Sequence, residues 1–219
     1  MLNLQSVKST IKPGVELVAV SKFHPASLIQ KAYDEGQRIF GESRAQELQV
    51  KHDWLPKDIQ WHFIGHLQAN KVKYIAPYIS LIHAVDSIKL LREIDRQAAK
   101  YGRVIPCLLE LHLAQEDTKY GLTMEQCSAL LDEGEWRQLG HVQIAGLMCM
   151  ASNTDGRELV RAEFHQAWEF FKECKSKYFA DDERFCQRSW GMSHDYDLAM
   201  EEGATLVRIG TAIFGNREY

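Results

Sequence analysis

The feature that most constrains the fold is an alternation of short apolar runs and helix-forming segments. Eight runs rich in apolar and β-branched residues recur along the chain, at 16–20, 38–41, 61–64, 79–84, 104–111, 143–148, 185–190 and 206–209. Between them lie segments with helical periodicity, the clearest at 26–35, 68–75, 87–101, 124–133, 157–178 and 194–202. Repeated βα units predict a parallel sheet, and eight strands is the number that closes a (β/α)8 TIM barrel. An open doubly wound sheet is the alternative, because periodicity counts strands without showing closure.

Length and composition limit the possible function classes. The 219 residues contain no Pro/Gly/Ser-rich linker, so we expect a single α/β domain over 1–219. A formal net charge of −4 provides no basic field for nucleic acid, and no apolar run is long enough to span a membrane. The N-terminal segment has scattered lysines and no apolar core typical of a secretion signal. Five cysteines, an odd number without a C-x-x-C pair, suit reduced thiols, so we expect a soluble cytoplasmic protein. We expect it to be a monomer.

A lysine follows the first strand in the stretch LVAVSKFHPA. Active sites of TIM barrels lie on the loops after the carboxyl ends of the strands. Period-2 alternation places Val18, Val20 and Lys22 on one side, so the Lys22 amine would point into the barrel mouth. A desolvated lysine there could form a Schiff base with a carbonyl compound. The competing interpretation is a strand-ending lysine in solvent.

The C-terminal stretch suggests a phosphate site. In SWGMSHDYDLAMEEG, Gly191 permits close approach of the backbone, and Ser193 is a natural N-cap for a helix starting near His194. The next strand, in TLVRIGTAIFG, brings Arg208 and the turn glycine Gly210. Barrels often bind phosphate with the loops after strands 7 and 8. A capped helix with a packing glycine, and an outward salt bridge for Arg208, are the alternatives.

Strands 1 and 8 are neighbours in a closed barrel, so the lysine and the phosphate site would lie side by side. A lysine that forms a Schiff base beside a phosphate site matches one cofactor, pyridoxal 5′-phosphate (PLP). The chain resembles the pyridoxal phosphate homeostasis proteins, single-domain relatives of the N-terminal barrel of alanine racemase. The resemblance covers nearly the whole chain through VAVSKFHP, RIFGESRAQE, WHFIGHLQANKVKY, DTKYGL, IAGLMCMA and SWGMSHDYDLAMEEGATLVRIGTAIFG. It implies a (β/α)8 barrel with Lys22 as the Schiff-base lysine. It also implies cofactor contacts from the residues Met148, Gly191, Met192, Ser193, Arg208 and Gly210, with His62 and Asn70 near the cofactor.

The sequence departs from the family pattern in two places. Ser43 stands where the family usually has asparagine after Gly-Glu, which puts a cofactor contact from that position in doubt. The segment before the first strand is short, so we expect a truncated leading helix.

Two other kinds of site have weaker support. The stretch GESRA, from Gly41 to Ala45, is one residue from the G-x-S-x-G motif of serine hydrolases, but Ser43 is better explained as the start or cap of a helix. His62 and His66 straddle a strand end and a glycine without the glutamate of H-E-x-x-H, which argues against zinc. G-x-G-x-x-G and G-x-x-x-x-G-K-[ST] do not occur, so dinucleotide and P-loop sites lack their main evidence.

The remaining choice is between a PLP-dependent enzyme and a PLP-binding protein without catalysis. Racemisation needs an acid or base on each face of the cofactor, and alanine racemase obtains its second base from a separate domain. We expect one barrel to use the full length, so the sequence predicts a non-catalytic protein that carries PLP on Lys22 and takes part in vitamin B6 homeostasis. Apo forms of PLP-dependent enzymes are its candidate partners, and a PLP-dependent amino-acid enzyme such as a racemase is the alternative.

Overall fold

The computed structural model describes residues 2–113 and 120–215. Eight parallel strands form a closed barrel in which each strand pairs with the next along the chain and β8 pairs with β1. The strands are β1 Glu16–Val20, β2 Ile39–Glu42, β3 Gln60–Phe63, β4 Leu81–Val85, β5 Ile105–His112, β6 Val142–Met150, β7 Gln187–Ser189 and β8 Leu206–Ile209. The predicted (β/α)8 barrel is therefore confirmed, and the open-sheet alternative is wrong.

Helices follow the strands and cover the outside of the barrel. Within the described residues they are α1 Leu4–Thr10, α2 Ala26–Asp34, α3 Ala45–Trp54, α4 Val72–Ile75, α5 Ile88–Ala99, α6 Met124–Glu133, α7 Arg157–Tyr178, α8 Tyr196–Glu201 and α9 Thr211–Phe214. Short 3-10 turns precede α4 at Ala69–Lys71 and follow α6 at Glu135–Gln138. A helix thus lies between successive strands, as parallel pairing requires.

The core has two parts, because each strand presents alternate residues to opposite faces. One small cluster fills the inside of the barrel, and its buried members are Val18, Leu81, Ala84, Leu108, Ala145, Met148 and Leu206. A larger apolar cluster lies between the barrel and the helices, and it includes Leu17 and Ala19 of β1. Packed side chains therefore close the barrel interior, and a ligand can enter only at its ends.

Some boundaries differ from the sequence expectation. A helix was expected to start near Ser43, but the extent of α3 was not predicted, because it buries only Ala45, Leu48 and Lys51 and its apolar pattern is weak. Helix α8 begins at Tyr196 rather than near His194. The segment 68–75 is a 3-10 turn followed by one α-helical turn, not a continuous helix.

In the described parts of the chain, no helix is both long enough and apolar enough to cross a membrane. The motif DTKYGL begins at residues 117–119, which lie outside the described residues.

Candidate functional site

A cavity of about 190 Å³ opens where the carboxyl ends of β1 and β8 meet the loop after β7. Five residues singled out from the sequence line this cavity: Lys22, Met192, Ser193, Arg208 and Gly210. They come from two distant parts of the chain, which the β1–β8 pairing brings together. The fold thus places the lysine and the candidate phosphate loops around one space.

Lys22 lies two residues after the end of β1 and follows the predicted alternation. Val18 lies in the barrel interior, whereas Val20 and Lys22 line the cavity above it. Leu17 and Ala19 pack outward against the helices. The lysine therefore belongs to the inward-facing set of β1, and the interpretation as a solvent lysine is not supported.

Ser193 lies beside the backbone that follows β8. Its Oγ accepts hydrogen bonds from the Gly210 amide at 3.2 Å and from the Ala212 amide at 3.5 Å. The expectation that Ser193 caps the next helix is wrong, because the N-cap of α8 is Asp195. Asp195 Oδ1 instead accepts from the Met192 amide at 2.5 Å and fixes the turn that carries the serine. Amides and a hydroxyl therefore meet at the edge of the cavity.

The two glycines near the cavity do different work. Gly191 has φ of 92°, and a Cβ there would lie 2.5 Å from the Ala199 Cβ. Because Gly191 has no side chain, α8 packs directly against the turn. The close contact with its backbone that we expected from a phosphate is therefore made by α8. A Cβ at Gly210 would lie 3.1 Å from the Val20 carbonyl oxygen, at the cavity wall. Gly210 therefore lets the loop after β8 lie against β1.

Arg208 is a buried cation of the barrel interior, not an outward-facing residue of β8. Its side chain is 4% exposed, and its Nη1 donates to the carbonyl oxygen and the Oγ of Ser189, each at 2.6 Å. Nη2 donates to the Cys149 carbonyl oxygen at 2.8 Å. Burial lowers the pKa of Arg208, but an arginine stays charged at neutral pH. The outward salt bridge considered from the sequence is wrong.

A hydrogen-bonded chain continues from Arg208 through the barrel. His83 Nδ1 lies 2.8 Å from Ser189 Oγ, and His83 Nε2 lies 3.0 Å from His62 Nδ1. Burial lowers the pKa of His62 to about 3, and burial with the neighbouring His62 and Arg208 lowers the pKa of His83 well below its usual range. Both imidazoles are therefore neutral at physiological pH. His83 was not predicted as a site residue, although a histidine within the apolar run 79–84 is a signal that could have identified it.

Glu110 is a second ionisable group of the barrel interior that sequence reasoning missed. It follows Leu108 by two residues on β5, so alternation could have placed it inside the barrel. The residue is 3% exposed. Burial, helped by the nearby Asp86 and opposed by Arg208, raises the pKa of Glu110 to about 7.

The other residues named from the sequence lie elsewhere. Met148 is buried in the interior cluster, and Met150, two positions along β6, lines the cavity. Asn70 is exposed in the 3-10 turn before α4, and His62 lies inside the barrel. Ser43 lies two residues before α3, whose N-cap is Arg44, so it does not cap that helix.

His66 is separated from His62 and stacks on the Tyr120 ring, with ring centroids 3.9 Å apart. Among the residues that the structure describes, no group of three His, Cys, Asp or Glu side chains could hold a metal ion.

The donor set of the cavity fits an anionic phosphate ester that carries an aldehyde. The Gly210 and Ala212 amides, the Ser193 hydroxyl and the Arg208 cation are groups that bind phosphate oxygens. Lys22 supplies a primary amine in the same space. Two histidines, His24 and His194, also line the cavity and were not predicted.

Comparisons with known proteins agree with this geometry. The family model described as "Alanine racemase, N-terminal domain" matches residues 2–218. A curated relative from Aquifex aeolicus (strain VF5), named "Pyridoxal phosphate homeostasis protein", is 38% identical over 205 residues, which cover 93% of this chain and 88% of that protein. A relative of the same name from Schizosaccharomyces pombe is 31% identical and covers 99% of this chain and 90% of its own length.

Solved structures show the same similarity. PipY of Synechococcus elongatus PCC7942, solved without PLP, is 39% identical with a TM-score of 0.90 and covers 97% of this chain and 98% of its own. The same protein solved with PLP bound gives a TM-score of 0.88 at 39% identity and the same coverage. An alanine racemase of Clostridium difficile 630 has a TM-score of 0.76 at 14% identity and covers all of this chain and 59% of its own. That last likeness concerns the fold alone.

Proposed function

Because this chain belongs to the family of the alanine racemase N-terminal domain, with the pyridoxal phosphate homeostasis proteins among its relatives, we propose that it binds PLP in the cavity at the end of β1 and β8. The observation that carries the proposal is the meeting of Lys22 with the donors around Ser193 in one space. The PLP-bound relative supports the identity of the ligand.

The loops after β7 and β8 hold the phosphate in this proposal. Ser193 and the Gly210 amide lie at hydrogen-bond distance from each other, so both can turn toward phosphate oxygens at the same edge. Arg208 adds a positive charge that, among the described residues, donates no hydrogen bond to a carboxylate. Gly191 and Met192 contribute by shaping the turn that presents Ser193. Met148 supports the cavity from below, through the interior cluster.

Lys22 attaches the ligand. Bound PLP would supply an aldehyde, and Nζ of Lys22 would be the primary amine that condenses with it, with loss of one water. The amine must be unprotonated to react. The cavity remains open at the barrel end, so bound PLP can exchange.

The role that follows is a non-catalytic one in vitamin B6 homeostasis, carrying PLP as a monomer in the cytoplasm. The names of the curated relatives support homeostasis over catalysis. All five cysteines are free thiols, which is usual in a reducing compartment. Transfer of PLP to apo-enzymes stays a prediction.

One observation supports the alternative function, a PLP-dependent amino-acid enzyme such as a racemase. His24 and His194 line the cavity beside Lys22, and either could exchange a proton with a bound amino acid. Incubation of the PLP-loaded protein with L-alanine in D2O distinguishes the two functions. We expect no deuterium at the α carbon and no D-alanine, whereas either product would establish catalysis.

Titration with PLP, followed by visible absorption, tests the binding site. We expect Ser193→Ala to weaken the affinity for PLP about 10- to 100-fold, because one hydrogen bond to a charged group is lost, while the visible band at saturation is kept. Ser6→Ala, an exposed serine on α1, is the matched control and should bind as the wild type does. Equal affinities of the Ser193→Ala variant and the wild type would show that this loop does not bind the phosphate.

A further inference from the structure

A cluster of one lysine and two glutamates lies beneath the loop that carries Lys22. Nζ of Lys51, on α3, is 2.7 Å from Glu42 Oε1 on β2 and 2.6 Å from Glu47 Oε1 on α3. The Lys51 residue is 6% exposed and Glu42 is fully buried. A buried ion pair is costly to assemble and is weak evidence for stability alone.

Each member of the cluster binds a residue next to Lys22. Nζ of Lys51 donates to the Ser21 carbonyl oxygen at 2.8 Å, and the Ser21 Oγ donates to Glu42 Oε1 at 2.6 Å. On the other side of Lys22, the Phe23 amide donates to Glu47 Oε1 at 2.7 Å. The cluster thus holds the backbone immediately before and immediately after the lysine.

The backbone held by Glu47 has an unusual conformation. Phe23 has φ of 68°, and it is the one non-glycine residue with positive φ among residues 2–113 and 120–215. Side chains of L-residues disfavour this region, so surrounding contacts must maintain it. The Arg44 guanidinium also lies 4.6 Å from the centre of the Phe23 ring. The turn that directs Lys22 is therefore maintained from α3.

We propose that Glu47 is a positioning residue for Lys22, acting through its hydrogen bond to the Phe23 amide, with Lys51 joining it to Glu42 and Ser21. This inference rests on the proposed function, since it assigns Lys22 a bond to the PLP aldehyde. Glu47 itself lines the outer side of the loop and does not line the PLP cavity. Its effect is on where the Lys22 amine sits, because a misplaced nucleophile reacts slowly even when its ligand is bound.

Two probes separate positioning of the lysine from general support of the site. PLP has the aldehyde, whereas pyridoxine 5′-phosphate has the same ring and phosphate with an alcohol in its place, so it cannot react with an amine. We expect Glu47→Ala to form the visible PLP band about tenfold or more slowly than the wild type. Its affinity for pyridoxine 5′-phosphate should stay within about twofold of the wild type, because the phosphate loops are unchanged.

Two further variants make the test specific. Glu47→Gln keeps an oxygen that can accept from the Phe23 amide, so it should restore most of the rate. Glu169→Ala removes an exposed ion pair with Lys172 on α7, far along the chain, and should behave as the wild type does. These variants keep the buried pair of Lys51 and Glu42. Lys51→Met, in contrast, would leave the buried Glu42 carboxylate without its cation and could prevent folding.

The outcomes are distinguishable. An unchanged rate for Glu47→Ala, an equal loss of affinity for both probes, or a Glu47→Gln variant as slow as Glu47→Ala would overturn the positioning role. If the wild type itself forms no visible band with PLP, the proposed function fails before the variants are compared.

Discussion

Arg208 is a buried cation whose hydrogen-bond acceptors are uncharged oxygens of Ser189 and Cys149. A buried charge is stable only when it is well hydrogen-bonded or compensated by an opposite charge. The positive charge of Arg208 lowers the pKa of the interior carboxyl of Glu110, but burial raises this pKa by more, so the net shift is upward. Among the described residues no carboxylate accepts a hydrogen bond from Arg208, so an anion in the cavity would meet a cation whose charge Asp195 and Glu110 offset only through space.

Glu110 gives the apo protein a defined pH dependence. Its folded pKa, about 7, lies above the ordinary value, so the folded state binds the proton more tightly than the unfolded state. The unfolded chain loses this proton first as the pH rises above about 4.5, and stability falls until the folded carboxyl also titrates near 7. His62 and His83, with lowered pKa values, have the opposite effect at acidic pH.

Replacing Glu110 isolates its effect, since the histidines are common to both proteins. We expect the free energy of unfolding of Glu110→Gln, relative to the wild type, to increase by roughly 2–3 kcal/mol between about pH 5 and about pH 8. Urea unfolding of the two apo proteins at both values measures this difference. A difference that is constant with pH, or that decreases, would show that Glu110 is ionised in the fold.

The turn before α8 depends on Gly191 more than on any cap of the helix. The residue has φ of 92°, and a Cβ would lie 2.5 Å from Ala199 Cβ and 3.0 Å from Tyr196 Cα. Alanine would strain the backbone and push α8 away from the turn that carries Ser193.

We expect Gly191→Ala to lower the free energy of unfolding by about 2–4 kcal/mol, the sum of a positive-φ penalty and overpacking. Gly140→Ala is the matched control, because a Cβ there meets nothing within 4 Å, and it should change stability by less than about 0.5 kcal/mol. Urea unfolding at constant m-value compares the two variants. Equal stabilities would mean that α8 can shift without cost.

The sequence predicted strands more successfully than helix ends. Strands β1 and β8 have the predicted bounds, because each is a short, mostly apolar run flanked by turn residues. A helix was expected to start near Ser43, but the extent of α3 was not predicted, since much of its buried face is Lys51, a residue that a hydrophobic pattern does not count. The start of α8 was placed too early, because Ser193 is a good N-cap in isolation and its hydroxyl is taken by amides distant in sequence.

Closure of the barrel determines which residues can meet. Sequence periodicity alone left an open sheet as an alternative, and the structure shows the closed barrel. The pairing of Glu16 with Leu206 joins strands almost 200 residues apart and brings Lys22 to Ser193. Strand count and strand ends predicted this meeting. The network of Lys51, Glu42 and Glu47 was not predicted, because its contacts depend on the extent and orientation of α3, which the sequence pattern does not determine.

The molecule is a closed barrel, and within its described residues a cavity at the carboxyl ends of β1 and β8 is lined by Lys22 and by residues of the loops after β7 and β8. The fold is shared with alanine racemase, whereas the site must be argued from its own residues. The central claim is that Lys22 is the residue to which PLP becomes attached.

Borohydride reduction of the PLP-treated protein, followed by mass mapping of its peptides, tests that claim most directly. Reduction converts the bond between lysine and PLP into a stable amine. We expect the yellow visible band to bleach and one pyridoxyl mass to appear on the peptide containing Lys22, with neither change in Lys22→Ala. A protein that stays colourless with PLP, or a pyridoxyl mass on other lysines that persists in Lys22→Ala, would contradict the account.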